Sequence, residues 1–260
     1  MSTQEFFTPV AFDFLWEAAG AGEPPYPLRV HSHGETETER AALRARAELE
    51  FSARRLEDSP VPEWLQLLAR PSASVDALHI PEFQAAPVAA LAATDGSTAV
   101  LAVQDADGVW LRPIYPDGLA SAVVNLLPAC SRGSEASITL PIDQAVRTQP
   151  SRTGVVSGAP PASRERRRAG LAERPADPGQ AYAQLIAQPR LRGGQLAANA
   201  RDELGRRNRS PVLAWFDTAT GRYLSLSRAG TDGREWVTVS PADEKTLRTR
   251  LGEMLAAVTG

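Results

Sequence analysis

The chain has 260 residues, 43% apolar and 23% charged, an ordinary balance for a soluble globular protein with room for one large domain or two modest ones. Its net charge of −3 argues against a generally basic nucleic-acid binder and leaves only a local basic patch open. One cysteine excludes an internal disulfide framework, and the start lacks a basic, then apolar, leader; with no apolar stretch longer than Ala85–Ala93, the expected setting is the cytoplasm.

The first 60 residues carry 11 Asp and Glu against 6 Arg. Pro9–Phe12 reads as a short strand, with Asp13 capping a helix from Phe14 to Ala19. Pro24-Pro25-Tyr26-Pro27 is a turn, because proline lacks the amide donor and restricts the residue before it. Thr36 and Glu39 have capping-box spacing and open a long helix. Its Ala42, Ala45, Leu49, Ala53 and Leu56 recur at helical intervals and predict one buried, alanine-rich stripe. A second helix is expected from about Pro62 to Arg70.

Four strands follow, at about 74–81, 87–94, 98–104 and 109–114. Asp95-Gly96 and Asp107-Gly108 separate the last three, and Asp-Gly between apolar alternating runs marks a tight hairpin turn. The expectation is an antiparallel meander, closed by a helix at 117–127 and followed by a short strand near 136–140. In residues 147–179, nine of 33 are Pro or Gly and Arg164–Arg168 reads RERRR. No apolar period is visible there, so a mobile linker is expected, turning helical near 165–173.

The pattern then returns. Tyr182–Pro189 (YAQLIAQP) matches Trp64–Pro71 (WLQLLARP) at four of eight positions. Strands are expected at 190–201, 210–217, 221–228 and 234–239, then a helix at 241–257. In that helix Leu247, Leu251, Met254 and Leu255 fall on Leu119, Val123, Leu126 and Leu127. The reading is an α+β fold: a central antiparallel sheet built from two similar helix–meander–helix halves with quasi-two-fold symmetry, flanked by helices. One domain would span 1–260, with halves at about 1–146 and 180–260. Helices would cover one face of the joint sheet, and the other face would need a further cover or a partner.

Residues with chemistry are sparse. His31 and His33 resemble metal ligands but sit between a proline turn and a helix cap, which reads as a surface loop; no metal or cofactor is expected. Cys130 has no flanking base, Arg192-Gly193-Gly194-Gln195 lacks the phosphate-loop pattern and reads as a strand with a glycine bulge, and no catalytic residue emerges. The aromatic residues Trp110, Trp215, Phe216, Tyr223 and Trp236 read as core. Lys245 stands alone beside 27 arginines, a skew read as genome composition. Arg201–Arg209 (RDELGRRNR) reads as an exposed hairpin loop whose Arg206, Arg207 and Arg209 are candidates for contacting an acidic partner or phosphate. Phe83, in a loop after a strand, is either local core or an anchor for a partner.

Several short motifs together carry a resemblance: Phe14-Leu15-Trp16-Glu17, Pro25–Leu28, Gly34–Arg40 (GETETER), Leu67–Pro71 (LLARP), Gly193–Leu196, Trp215–Thr218 with Thr220–Tyr223, and Trp236–Pro241. In order and spacing the chain resembles the EspG family of secretion-associated proteins of actinobacterial type VII (ESX) systems. The resemblance implies a non-enzymatic cytosolic chaperone that binds a helical PE–PPE-like heterodimer, or another helical substrate such as a WXG-type pair. It would keep that pair soluble and deliver it for export. It also implies a contact surface at the loop after the second strand and at the C-terminal helical part. With Pro9–Phe12 counted as the first strand, that loop makes Ile80, Glu82, Phe83 and Gln84 the contact candidates. No membrane or nucleic-acid partner is expected, and weak homo-oligomerisation stays open. The competing readings are a nucleic-acid or regulatory binding module using Arg201–Arg209, and an enzyme with an unrecognised site.

Overall fold

The computed structural model describes residues 4–148, 177–202 and 204–260; the expected linker helix at 165–173 lies outside them. Among the described residues the chain forms seven α-helices and an 11-stranded antiparallel sheet. The strands are β1 (Glu5–Phe7), β2 (Ala73–Ile80), β3 (Val88–Thr94), β4 (Ala99–Gln104), β5 (Val109–Pro113), β6 (Ile138–Pro141), β7 (Arg192–Arg201), β8 (Arg207–Arg209), β9 (Leu213–Thr218), β10 (Gly221–Ala229) and β11 (Glu235–Pro241). The helices are α1 (Pro9–Ala18), α2 (Glu37–Arg54), α3 (Val61–Ala69), α4 (Leu119–Val124), α5 (Ile142–Thr148), α6 (Pro178–Ala187) and α7 (Glu244–Thr259).

The strand order is β1-β5-β4-β3-β2-β7-β9-β10-β11-β6, with β8 paired to β7 beside β9. The expected meanders form, and their turns follow from local chemistry. At Asp95 the carboxylate accepts hydrogen bonds from the amides of Thr98 and Ser97, which hold its pKa down at about 2, while Gly96 takes φ 99°. The meanders meet at β2 and β7, which pair without interruption from Ala73↔Ala200 to Ile80↔Gly193. The glycine bulge expected at Gly193-Gly194 is therefore absent. These glycines instead allow close strand approach: a Cβ on Gly194 would lie 2.4 Å from the Cβ of His79.

Alternation along each strand divides the sheet into two faces. One face is covered by α4 and α7. Val75, Ala77, Ala90, Ala92 and Leu101 pack there with Leu196, Leu213, Trp215 and Leu224, beneath Leu119, Val123, Leu247 and Leu251. The opposite face is covered only towards its two ends. Leu91, Ala93, Val100 and Leu111 lie beneath α1 and α3, while Phe216, Tyr223, Val237 and Val239 lie beneath α5 and α6. Among the described residues no helix covers the central strands between these helix pairs on that side.

Two expectations near the N-terminus are overturned. Pro9–Phe12 is helix, because Pro9 suits a first helical position and Thr8 caps it, its side chain accepting from the Ala11 amide. The first strand is Glu5–Phe7, paired with β5, so the count that places the loop after the second strand at 81–87 is unchanged. Asp13 lies within α1 rather than at its start. Burial pushes its carboxyl upward, but hydrogen bonds from Arg40 and from His33 outweigh that and hold it below the usual range.

Of the stripe predicted on α2 only Leu56, in the turn just past the helix end, is buried: Leu49 is 73% exposed, and Ala42, Ala45 and Ala53 face solvent. The helix turns Arg40, Arg44, Ala47, Phe51 and Arg54 inward instead. The Arg40 and Arg54 guanidiniums lie 4.6 Å from the ring centres of Phe14 and Phe7 and pair with Asp13, Glu17 and Glu5. Stacked, paired arginines outcompete alanines that have little area to bury. Among the strand aromatics, Trp215, Phe216 and Tyr223 are core, but Trp110 is 37% exposed and lies against Phe6, and Trp236 is half-buried.

The inward turn of Leu251, fully buried on the sheet-facing side of α7, gives a stability test. Leu251→Asp is expected to cost about 4 kcal/mol by burying an unpaired charge, lowering the thermal midpoint markedly; an unchanged midpoint would contradict this packing. His79 gives a second test. It is 3% exposed and its ring lies 6.1 Å from that of Trp215. Burial, then the positive charge of Arg222, lowers its pKa from 6.5 to about 4. Below pH 6.5 the unfolded chain takes up a proton that the folded chain refuses until about pH 4. Stability attributable to His79 is therefore lost as the pH is lowered across that window, by roughly 3 kcal/mol in all. His79→Gln should flatten the urea-derived stability profile there, and a slope equal to that of the parent would refute the assignment.

Candidate partner-binding surface

The uncovered side of β2 carries Ser74, Asp76, Leu78 and Ile80, and register places Asn199, Ala197, Gln195 and Gly193 of β7 on the same side. Burial varies along this groove. Ser74 and Asp76 are buried, Leu78 is half-buried, and Ile80 and Gln195 are exposed. The two ends of the groove differ in chemistry, and the candidate residues divide between them.

At one end the strand pair runs out at Ile80 and Gly193, and the loop 81–87 projects. Ile80 is 45% exposed and Phe83 76% exposed, with Glu82 and Gln84 also exposed. A turn closed by the Ala85 amide on the Glu82 carbonyl (3.0 Å) presents Phe83, and Gln84 takes a left-handed φ of 68°. Such backbone strain in a non-glycine residue gathers at functional loops. Facing the loop is the turn from α6 into β7, where Arg190 lies 4.7 Å from the ring centre of buried Phe216 and Leu191 is 48% exposed. Two adjoining clefts of about 590 and 640 Å³ share Phe83, Arg190 and Leu191; the first extends to Tyr182, Ile186 and Phe216. Phe83 is thus not local core. Its exposed ring beside Ile80 and Leu191 forms an apolar centre with Glu82 and Arg190 at its rim, the usual anatomy of a protein-binding patch.

Arg206, Arg207 and Arg209 lie at the other end, on the β7–β8 hairpin. Seven residue steps of β2 separate the two groups, roughly 24 Å at strand rise. Arg206 and Arg207 are exposed. Arg209 is committed to the fold: it donates to Asp76 Oδ2 at 2.6 Å and Oδ1 at 3.1 Å, and to Asn199 Oδ1 at 2.7 Å. Asn199 also donates to Asp76 at 2.8 Å, and the Arg209 guanidinium lies 5.4 Å from the Tyr26 ring centre. Sequence reasoning missed Arg190 and Leu191, hidden in what read as a weak strand, and Tyr26, hidden in a turn. Their signals, an arginine–leucine pair after Pro189 and a tyrosine among prolines, are too common to stand out.

Elsewhere the geometry is structural. His33 turns its Nδ1 to Asp13 Oδ2 at 3.2 Å, inside the Arg40 network, and among the described residues no group of three or more His, Cys, Asp or Glu is placed to hold a metal ion. Burial, then the neighbouring Asp217 carboxylate, pushes the Cys130 thiol above its ordinary value, which disfavours the nucleophilic thiolate. Asp217 is buried between Arg222 (Nε 2.7 Å) and Arg192 (Nε 2.9 Å), and Arg222 also donates to the Pro128 carbonyl at 2.6 Å. Among the described residues no helix is long and apolar enough to cross a membrane.

A profile of the EspG family matches residues 8–253. The chain belongs to the EspG family. Among solved structures it is similar to that of the Mycobacterium tuberculosis type VII secretion system chaperone EspG5 in complex with a PE25–PPE41 dimer. The TM-score is 0.65 at 13% identity, covering 98% of this chain and 96% of the other. At that identity the likeness is one of fold, and it extends over the whole large antiparallel sheet with its helices. No curated protein matches the chain.

The Asp76–Arg209 pair separates structure from binding at the hairpin. Arg209→Met should cost about 2 kcal/mol in urea denaturation, because it strands a buried carboxylate, discounted for the half-exposed arginine. Arg206→Gln should change stability by less than about 0.5 kcal/mol. Equal effects of the two would overturn this division.

Proposed function

We propose that this protein is a cytosolic, non-catalytic chaperone of a type VII (ESX) secretion system. It binds a helical PE–PPE-like pair, keeps the pair soluble and hands it over for export. The observation that carries the reading is the meeting of EspG membership with an uncovered central groove ending in the exposed Phe83. The fold likeness to a chaperone solved with a PE–PPE dimer supports the same partner class. An apolar helical tip promotes self-association when left bare, and a concave apolar patch with a charged rim covers it reversibly. Ile80, Glu82, Phe83 and Gln84 form the contact, joined by Leu191 and Arg190 across the cleft. We read the chain as a single domain over 1–260 whose halves arose by duplication. A strand order that runs from one meander through β2 and β7 into the other supports this.

Co-expression with the helical pair encoded beside this gene should yield a complex that co-elutes in size-exclusion chromatography at micromolar concentration. The pair should aggregate when the chain is omitted. Components that stay apart would remove the reading. Phe83→Asp is expected to weaken the complex by roughly 2 kcal/mol or more, the size of an interface hot spot, with no change in melting temperature. Unaltered binding by this variant would exclude the loop as the contact.

A further inference from the structure

We propose that the cavity at the hairpin end of the groove is a second binding site, one that takes the carboxylates of an acidic, partly apolar segment of the client polypeptide. The assignment of the segment to the client rests on the chaperone reading above; the chemistry of the site does not.

The cavity holds about 260 Å³, enough for an acidic side chain with an apolar neighbour. Its walls include Pro25, Tyr26 and Pro71, and its rim Arg201, Arg207 and Arg209. Register explains the clustering: Arg201 pairs with Arg207 and Asn199 with Arg209, so all three guanidiniums rise from the uncovered side of the sheet. Among the described residues one carboxylate, Asp76, lies beneath them, and Arg209 already neutralises it. Asp202 is spent on the turn, its Oδ1 accepting from the amides of Leu204 and Arg206. Among the described residues Arg201 and Arg207 take part in none of the ion pairs. Both line the cavity, which among the described residues therefore carries positive charge that no carboxylate answers. A carboxylate fits the planar fork of arginine. The cavity favours polypeptide over nucleic acid because Tyr26 is the one aromatic residue among those lining it, too few for successive bases to stack on.

The test uses fluorescence anisotropy with a labelled peptide of alternating Glu and Leu, its Gln–Leu counterpart and a labelled DNA duplex. The intact chain is compared with the R201Q/R207Q double variant, which leaves the Asp76–Arg209 pair in place. The Glu–Leu peptide should bind the parent at least tenfold more tightly than the variant, as expected from lost charged hydrogen bonds, and more weakly at high salt. The Gln–Leu peptide should not distinguish the two proteins. Equal binding of both peptides, or no effect of the double variant, would overturn the site. Tighter binding of the duplex with the same arginine dependence would overturn it in favour of nucleic acid. The co-expressed helical pair separates the two readings. A parent that captures no pair defeats the chaperone function whatever the peptide does. A variant that captures the pair as tightly as the parent defeats the second site alone.

Discussion

The β2–β7 seam is the constraint on which the molecule depends. Each meander taken alone would end in an unpaired edge strand, and exposed edges invite uncontrolled pairing. Joining them by a continuous ladder from Ala73↔Ala200 to Ile80↔Gly193 removes both edges at once. The seam must also be thin. Ala77, Ala197, Ala198 and Ala200 line it, and Gly194 passes against His79 where a Cβ would collide. With small residues at the centre, α4 and α7 cover the seam on one side by resting Leu247 and Leu251 on Leu196 and Val75. On the other side α1–α3 and α5–α6 stand apart, each over its own half. The groove between them is a consequence of building one sheet from two separately covered halves.

Arginine is the second theme, and the fold uses it in ways lysine could not. Arg40 and Arg54 stack on Phe14 and Phe7 while binding carboxylates, and Arg222 lies over Trp215 while it grips Asp217 through two nitrogens. Planarity permits ring contact and forked hydrogen bonding together, where an ammonium would offer a point charge. The arginine-for-lysine skew that reads as genome composition is therefore put to structural use. The arginines on the groove's uncovered side divide cleanly: Arg209 fastens the hairpin to Asp76, while Arg201 and Arg207 take part in none of the ion pairs among the described residues.

How much of this was legible depends on the range of the forces involved. Hairpin turns were legible because Asp95-Gly96 and Asp107-Gly108 settle their geometry within four residues. The α7 stripe was legible because Leu247 and Leu251 are large enough to dominate any packing. The α2 stripe was not, because alanines carry little hydrophobic free energy and the helix was oriented by Phe7, Phe14, Asp13 and Glu17, all remote in sequence. The bulge expected at Gly193-Gly194 failed for a similar reason: the need for glycine came from the neighbouring strand rather than from the local backbone. The candidate site was half legible. Phe83 announced itself as an aromatic residue in a loop between strands, whereas Arg190, Leu191 and Tyr26 became relevant only once the sheet had brought distant segments together.

The separation of the two groove ends has a mechanical meaning for a protein that must let go of its partner. An apolar contact at Phe83 is short-ranged and governs how long a complex lasts, whereas charge at Arg201 and Arg207 acts at a distance and chiefly sets how fast partners meet. Under the proposed function, their separation of about 24 Å along one sheet would orient a helical client by two points. Displacing either end would then leave the client held by one contact. The left-handed Gln84 fits the same proposal: a loop already held in the conformation that presents Phe83 would spend little ordering entropy on capture.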